Sequence, residues 1–318
     1  LNDIYYILHK SSKEYLLENI VNEILAIKES QNACILAHNY QPGEIQDIAD
    51  FVGDSLELSK IVTTLPNPVI VFCGVSFMAE TAKILSPDKI ILLPEQYALC
   101  DLAESIEAKD LEILKAQYPQ AAVVCYVNSS VETKANSDYC CTSANALKVV
   151  DSIAEDTIIF VPDQGLGSWI QEKSRKKIIL YPGSCPIHFL LDPEEILQTW
   201  KRYPDAALIT HPEANKAVRD MSTYVGGTGG MIQYVEKTQH KTYLVATDDG
   251  MIHRLSKLYP DRLFVLAAKS IQCKDMKKIS LQKILDSLRY HTLQIEIDPH
   301  IASAALKAIQ NMLDISKK

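Results

Sequence analysis

Three cysteines in this chain stand where chemistry is possible. Cys185 lies in Tyr181-Pro182-Gly183-Ser184-Cys185-Pro186-Ile187-His188, directly after the apolar run Lys177-Ile178-Ile179-Leu180, which reads as a buried strand. A thiol just beyond a strand end, with a histidine three residues on, admits three roles: a buried structural cysteine, a nucleophile assisted by His188, or a metal ligand. Cys100 and Cys273 occupy the corresponding place after the apolar runs 90–93 and 263–266, at separations of 85 and 88 residues from Cys185. Three thiolates without a fourth leave one coordination position open. Zinc held this way recruits a histidine, but His188 has no counterpart beside Cys100 or Cys273. Soft thiolates suit an iron–sulfur cluster equally well, and with three cysteines one iron stays free to act as a Lewis acid. Such a centre favours loss of a hydroxyl group over simple electron transfer.

The remaining cysteines read differently. Cys34, Cys73 and Cys125 sit inside apolar strands as small hydrophobes. Cys140 and Cys141 precede Thr142-Ser143-Ala144-Asn145 in what reads as a turn into a helix, and no role is assigned to them. No Cys-x-x-Cys occurs, and the wide scatter of the eight does not resemble a disulfide framework.

The elements that must position these residues follow from periodicity. Residues 1–32 are expected to be helical, with Leu16, Leu17, Ile20, Ile24 and Ile27 on one face. From Ala33 onward, short Val/Ile/Leu runs alternate with amphipathic stretches, the signature of βαβ units with parallel sheets. The unit repeats: Lys115-Ala116-Gln117-Tyr118-Pro119 and Lys201-Arg202-Tyr203-Pro204 each precede a strand, and Cys73-Gly74, Asp163-Gln164-Gly165 and Asp248-Asp249-Gly250 each follow one. The expected fold is α/β, with three similar, pseudo-symmetric α/β units with parallel sheets at 33–117, 118–202 and 203–290 meeting about a pseudo-threefold axis, and a C-terminal segment at 291–318. Ligands bind beyond the carboxyl ends of such strands, so the three thiols would face one cleft.

Polar residues at the first strand end of each unit, His38, Tyr126 and His211, would stand beside the thiols. Tyr224-Val225-Gly226-Gly227-Thr228-Gly229-Gly230 opens a helix with small residues that let backbone amides approach an anion, though it matches neither a P-loop nor a dinucleotide fingerprint. Ser55, after Gly53-Asp54, either caps the next helix or contacts a ligand. A net charge of −8 argues against nucleic acid as a partner. No apolar run approaches the roughly 18 residues that span a bilayer. Leu1-Asn2-Asp3-Ile4-Tyr5-Tyr6 lacks the basic start of a secretory signal, so a cytoplasmic protein is expected.

From about residue 33 to 290 the chain resembles the quinolinate synthase family, the A-type enzymes of bacterial and archaeal NAD biosynthesis. The landmarks are Ala37-His38-Asn39-Tyr40-Gln41, Ile48-Ala49-Asp50-Phe51-Val52-Gly53-Asp54-Ser55-Leu56, Tyr126-Val127-Asn128-Ser129 and Cys141-Thr142-Ser143-Ala144-Asn145. They continue through Cys185-Pro186, His211-Pro212-Glu213, Gly250-Met251-Ile252-His253 and Met276-Lys277-Lys278. The resemblance implies three αβα units around a central active site and a 4Fe–4S cluster on Cys100, Cys185 and Cys273. It also implies a transferase reaction that condenses iminoaspartate (iminosuccinate) with dihydroxyacetone phosphate to quinolinate, phosphate and water, coupled to an iminoaspartate-producing enzyme. Carried over by motif, the substrate contacts fall on His38, Ser55, Tyr126, Asn128, Ser143, His211, Glu213 and Thr228, and Tyr40 matches a catalytic tyrosine. Glu213 is the expected base, and His38, His211 and Tyr126 orient intermediates or donate protons. Gly227 stands where the family often has serine. With the cluster implied, His188 becomes a packing or supporting residue. Two rival classes remain on the residues themselves: another three-cysteine iron–sulfur dehydratase, and a non-catalytic protein holding zinc or a labile cluster.

Overall fold

The computed structural model describes the backbone of residues 2–269 and 271–317 and the side chains of 16–269 and 271–317. The side chains of Asn2-Asp3-Ile4-Tyr5-Tyr6, and Leu1 altogether, lie outside the described residues. Among the described residues twelve strands form three four-stranded sheets, every strand pairing parallel. The first sheet contains β1 (Ala33–His38), β2 (Phe51–Gly53), β3 (Val69–Cys73) and β4 (Ile90–Leu92). The second contains β5 (Ala122–Tyr126), β6 (Tyr139–Cys141), β7 (Thr157–Val161) and β8 (Lys177–Leu180). The third contains β9 (Ala207–Thr210), β10 (Tyr224–Val225), β11 (Thr242–Ala246) and β12 (Leu263–Leu266). Each sheet has the same order, its second strand at one edge, then the first, third and fourth. Helices flank every sheet, so the architecture is the expected α/β fold of three αβα units.

The central strands are continuous apolar runs because helices cover both faces. All described positions of β1, β3, β5 and β9 are buried. In the third sheet the alternation of side chains is visible in the packing. Leu208, Leu244 and Ala246 join one apolar cluster, while Ile209, Tyr243 and Val245 join another on the opposite face. The first two sheets share one core, to which the C-terminal helix Pro299–Lys317 contributes Ala305, Ala308, Ile309, Met312 and Leu313.

Periodicity did not reveal β2, β6 and β10. They are two or three residues long and lie at sheet edges, so no apolar run marks them. A polar residue just before each fixes its register. Asp50 Oδ2 accepts the Ile35 amide at 2.8 Å, Asp138 Oδ2 accepts Val123 at 2.8 Å, and Thr223 Oγ1 accepts Leu208 at 3.0 Å. Cys140 and Cys141 consequently lie in strand β6 rather than in a turn, fully buried against β5. The N-terminal helix spans Asn2–Ser30; of the expected face, Ile24 is fully buried and Ile20 and Ile27 partly so, whereas Leu16 is 60% exposed and Leu17 40%. The helix Leu281–Tyr290 and β1 are among its packing partners. Among the described residues no helix is long and apolar enough to cross a membrane.

Candidate active site

Strand register places side chains from all three units in matching layers. His38 lies opposite Gly53, Tyr126 opposite Cys141, and Thr210, just before His211, opposite Val225. Two residues beyond His38, Tyr126 and His211 stand Tyr40, Asn128 and Glu213. Two residues beyond Gly53, Cys141 and Gly226 stand three hydroxyls, Ser55, Ser143 and Thr228. After the fourth strands come Cys100, Cys185 and Cys273. These twelve side chains, the full set singled out in the sequence, line one cavity of about 70 Å3, several times the space that one water needs. The three cysteines also line a second, outer hollow of about 410 Å3, so they stand between the two spaces. All three are half-buried free thiols.

Each cysteine loop is tied to the start of the helix that follows the third strand. Asp163 Oδ2 accepts the Cys185 amide at 3.2 Å while Oδ1 accepts Leu166 at 2.5 Å. Asp248 Oδ2 accepts the Cys273 amide at 2.7 Å while Oδ1 accepts Gly250 at 2.8 Å. Val75 occupies the matching place in the first unit, and there the tie is made by backbone, with the Ser76 amide donating to the Ala98 carbonyl at 2.8 Å. Burial, then the charge of Glu213, pushes the Asp163 carboxyl up, and burial also raises Asp248 despite Lys277 at 2.6 Å. Burial pushes all three thiols up as well, Cys273 to about 11, with mutual repulsion adding to the shift at Cys100 and Cys185.

The acid–base groups form a connected set. The Tyr126 hydroxyl donates to Glu213 Oε1 at 2.6 Å, and His188 Nδ1 meets Glu213 Oε2 at 2.7 Å. His188 Nε2 lies 2.8 Å from Thr247 Oγ1, which lies 2.5 Å from the Tyr40 hydroxyl. Burial alone would raise the Glu213 carboxyl. Neighbouring His211 and His188, with hydrogen bonds from His188 and Tyr126, instead hold it well below the usual carboxylate range. Burial pushes His38 and His211 down to about 3, so both are neutral at pH 7. His38 Nδ1 accepts the Tyr40 amide at 3.2 Å, and His211 Nδ1 faces the Glu213 amide at 3.5 Å. Each ring therefore carries its hydrogen on Nε2, as a donor. Burial and the Glu213 charge raise Tyr40 and Tyr126, whose phenols stay protonated. Asn39 Nδ2 donates to Thr228 Oγ1 at 2.9 Å, which leaves the threonine hydrogen free to point elsewhere.

His188 is not a remote packing residue. It is 1% exposed, lines the cavity, hydrogen-bonds to Glu213 and stacks on His211 with ring centroids 4.5 Å apart. The repeat hid it, because no second unit carries an equivalent. Thr247, Asp163 and Asp248 were also passed over in the sequence, although the two aspartates follow third strands at matching places. The ligand atoms of Cys185, His188 and Glu213 lie within 4.8 Å of one another, a group able to hold a metal ion. Among the described residues no other such group is found.

The comparisons agree with this geometry. Residues 22–314 match the family model described as quinolinate synthetase A protein. The quinolinate synthase of Dehalococcoides mccartyi strain CBDB1 is 47% identical over 298 residues, covering 94% of this chain and 99% of that protein. The quinolinate synthase of Caldicellulosiruptor bescii is 44% identical over 300 residues, covering 94% and 99%. That of Methanoregula boonei is 45% identical over 292 residues, covering 92% and 96%. With the match spanning nearly the whole length of chain and relatives alike, the chain belongs to the quinolinate synthetase A protein family.

Proposed function

We propose that the chain is a quinolinate synthase, condensing iminoaspartate with dihydroxyacetone phosphate to quinolinate, phosphate and water for NAD biosynthesis. The observation that carries the reading is the meeting of three free thiols, one from each unit, with the Tyr126–Glu213–His188 network in a single cavity. Cys100, Cys185 and Cys273 would hold a 4Fe–4S cluster. Three free thiols at one cavity, one from each unit, are a soft donor set that fits an iron–sulfur cluster with one iron left open. Bound there, it would supply the Lewis acidity that eases departure of a hydroxyl group as water.

The chain's own residues do the rest. Ser55 and Thr228 begin ten-residue helices, Ser55–Thr64 and Thr228–Lys237, whose N-termini and hydroxyls favour phosphate or carboxylate, and Ser143 adds a third hydroxyl. His38 and His211, neutral and protonated on Nε2, offer hydrogen bonds without adding positive charge. Glu213, ionised and aimed by Tyr126 and His188, takes up protons during isomerisation and dehydration, and Tyr40 hands protons to or from the ligand. Burial of the cavity strengthens each of these interactions. Eight free cysteines suit a reducing compartment, and we place the reaction in the cytoplasm, fed by an enzyme that makes iminoaspartate.

Protein purified without oxygen should contain iron and sulfide and form quinolinate from the two substrates. A colourless, zinc-loaded, inactive preparation obtained in the same way would overturn the reading.

A further inference from the structure

Cys273 begins a short segment that reaches across to the first unit. Its amide donates to Asp248 Oδ2 at 2.7 Å, and its carbonyl accepts the Lys277 amide at 3.3 Å. Met276-Lys277-Lys278 form one 3-10 turn, which meets the loop after β1 at two points. The fully buried Gln41 side chain donates to the Met276 carbonyl at 2.9 Å, and the Lys277 ammonium donates to the Tyr40 carbonyl. The ammonium also meets Asp248 Oδ1 at 2.6 Å and Asp249 Oδ1 at 2.7 Å, so three acceptors face its three hydrogens. The Asn39 and Gln41 carbonyls, on either side of Tyr40, are held within the first unit by Gln46 Nε2 at 3.1 and 2.9 Å. The Tyr40 carbonyl between them is held from the third unit, by a cation. The fully buried Asp248 side chain unites the two ends of this link: one oxygen holds the Cys273 amide, and the other holds the ammonium that grips Tyr40. A buried carboxylate is costly without its positive partner, so the two move as one. Lys277 is not among the residues lining the cavity, and it acts through its neighbours.

We propose that Lys277 is a positioning residue that couples the Cys273 loop to the Tyr40 backbone. The inference rests on the quinolinate synthase reading and deepens it. With Cys273 ligated, its loop is fixed, Asp248 is fixed through the Cys273 amide, and Lys277 holds Tyr40 at the cavity wall. With Cys273 free, one end of the link is untethered, and the turn around Tyr40 opens more often. Loading of the thiols and placement of the tyrosine are therefore one event. The Met276-Lys277-Lys278 motif, to which the chemistry of the cavity gives no part, finds its role here: a carbonyl and an ammonium reach residues 41 and 40 from the segment that Cys273 begins.

The test follows amide hydrogen exchange over residues 39–46 in anaerobically purified protein, before and after iron is removed with a chelator. Iron removal should speed exchange there about tenfold or more, the protection that one hydrogen bond to a charged group supplies. In iron-loaded Lys277→Met the same residues should exchange as fast as in iron-free wild type, and iron removal should add little. Its kcat per iron should fall about tenfold or more, with KM for both substrates changed less than about twofold. Lys257→Met is the control, since it removes an exposed 2.5 Å ion pair to Asp47 between the same two units. It should match wild type in exchange and in rate. Exchange over 39–46 that is indifferent to iron removal overturns the proposal, and that measurement needs no variant. A Lys277→Met protein with wild-type exchange and kcat overturns it too, as does a Lys257→Met protein loosened to the same degree. Wild-type protein that takes up no iron and forms no quinolinate overturns the functional reading itself and the coupling with it, an outcome distinct from the others.

Discussion

Tyr126 and Glu213, 87 residues apart in sequence, are joined by a buried 2.6 Å hydrogen bond across two units. The bond sets the chemical state of the carboxylate. Removing its hydroxyl by Tyr126→Phe leaves Glu213 with one donor fewer and should raise its pKa, shifting the acidic limb of the kcat profile to higher pH. Glu213→Gln should lower kcat by about 10²–10⁴-fold without loss of iron. Steady-state rates across pH on anaerobic protein check both, and a Glu213→Gln variant working at the wild-type rate would remove the carboxylate from the chemistry.

The thiols divide into two sets by position. Serine at Cys100, Cys185 or Cys273 should abolish retention of iron and sulfide together with quinolinate formation. Cys34→Ala, in the apolar strand β1, should leave the iron content unchanged and cost about 1 kcal/mol of stability or less. Iron and sulfide analysis of the four variants distinguishes the sets, and full iron loading of a Cys185→Ser protein would exclude that residue as a ligand.

Two glycines hold the acid–base residues in place through close backbone approach. A Cβ on Gly165 would collide with the Glu213 carbonyl, and one on Gly250 would lie 2.7–2.8 Å from the Tyr40 backbone. Neither neighbour is a flexible side-chain tip. Gly165→Ala and Gly250→Ala should each cost about 1–3 kcal/mol in a urea melt and displace the catalytic backbone. The expected loss in kcat is tenfold or more. Alanine variants with unchanged midpoint and rate would show that the backbones yield freely.

Asp54 carries a pH-dependent stability effect of known sign. Burial, then the charge of Glu57, pushes its carboxyl up to about 6. An acid whose pKa rises on folding contributes stability that is fully present below its unfolded value, about 3.9, and is lost as pH rises through the folded value. Asp54→Asn keeps an N-cap for the helix Ser55–Thr64, since asparagine caps as well as aspartate. The variant should gain on wild type progressively from about pH 4 to about pH 6, reaching at most about 3 kcal/mol above that. Urea midpoints of both proteins between those limits check it; a difference that does not vary with pH would contradict the raised carboxyl.

What the sequence determined by itself was whatever recurs locally. Apolar runs beyond Ala33, matched turns and a cysteine after each fourth strand were enough for three α/β units, because burial on both faces leaves a continuous hydrophobic signature. The short strands β2, β6 and β10 carried no such signature; they exist because Asp50, Asp138 and Thr223 capture an amide of the neighbouring strand. The polar constellation was legible as a set of strand-end residues, but its connections were not. Only the tertiary structure joins His188 and Thr247 to Glu213 and Tyr40, since a hydrogen bond between distant segments leaves no periodic trace. Neither residue has a partner in the repeat, and repetition was the only signal that could have announced them.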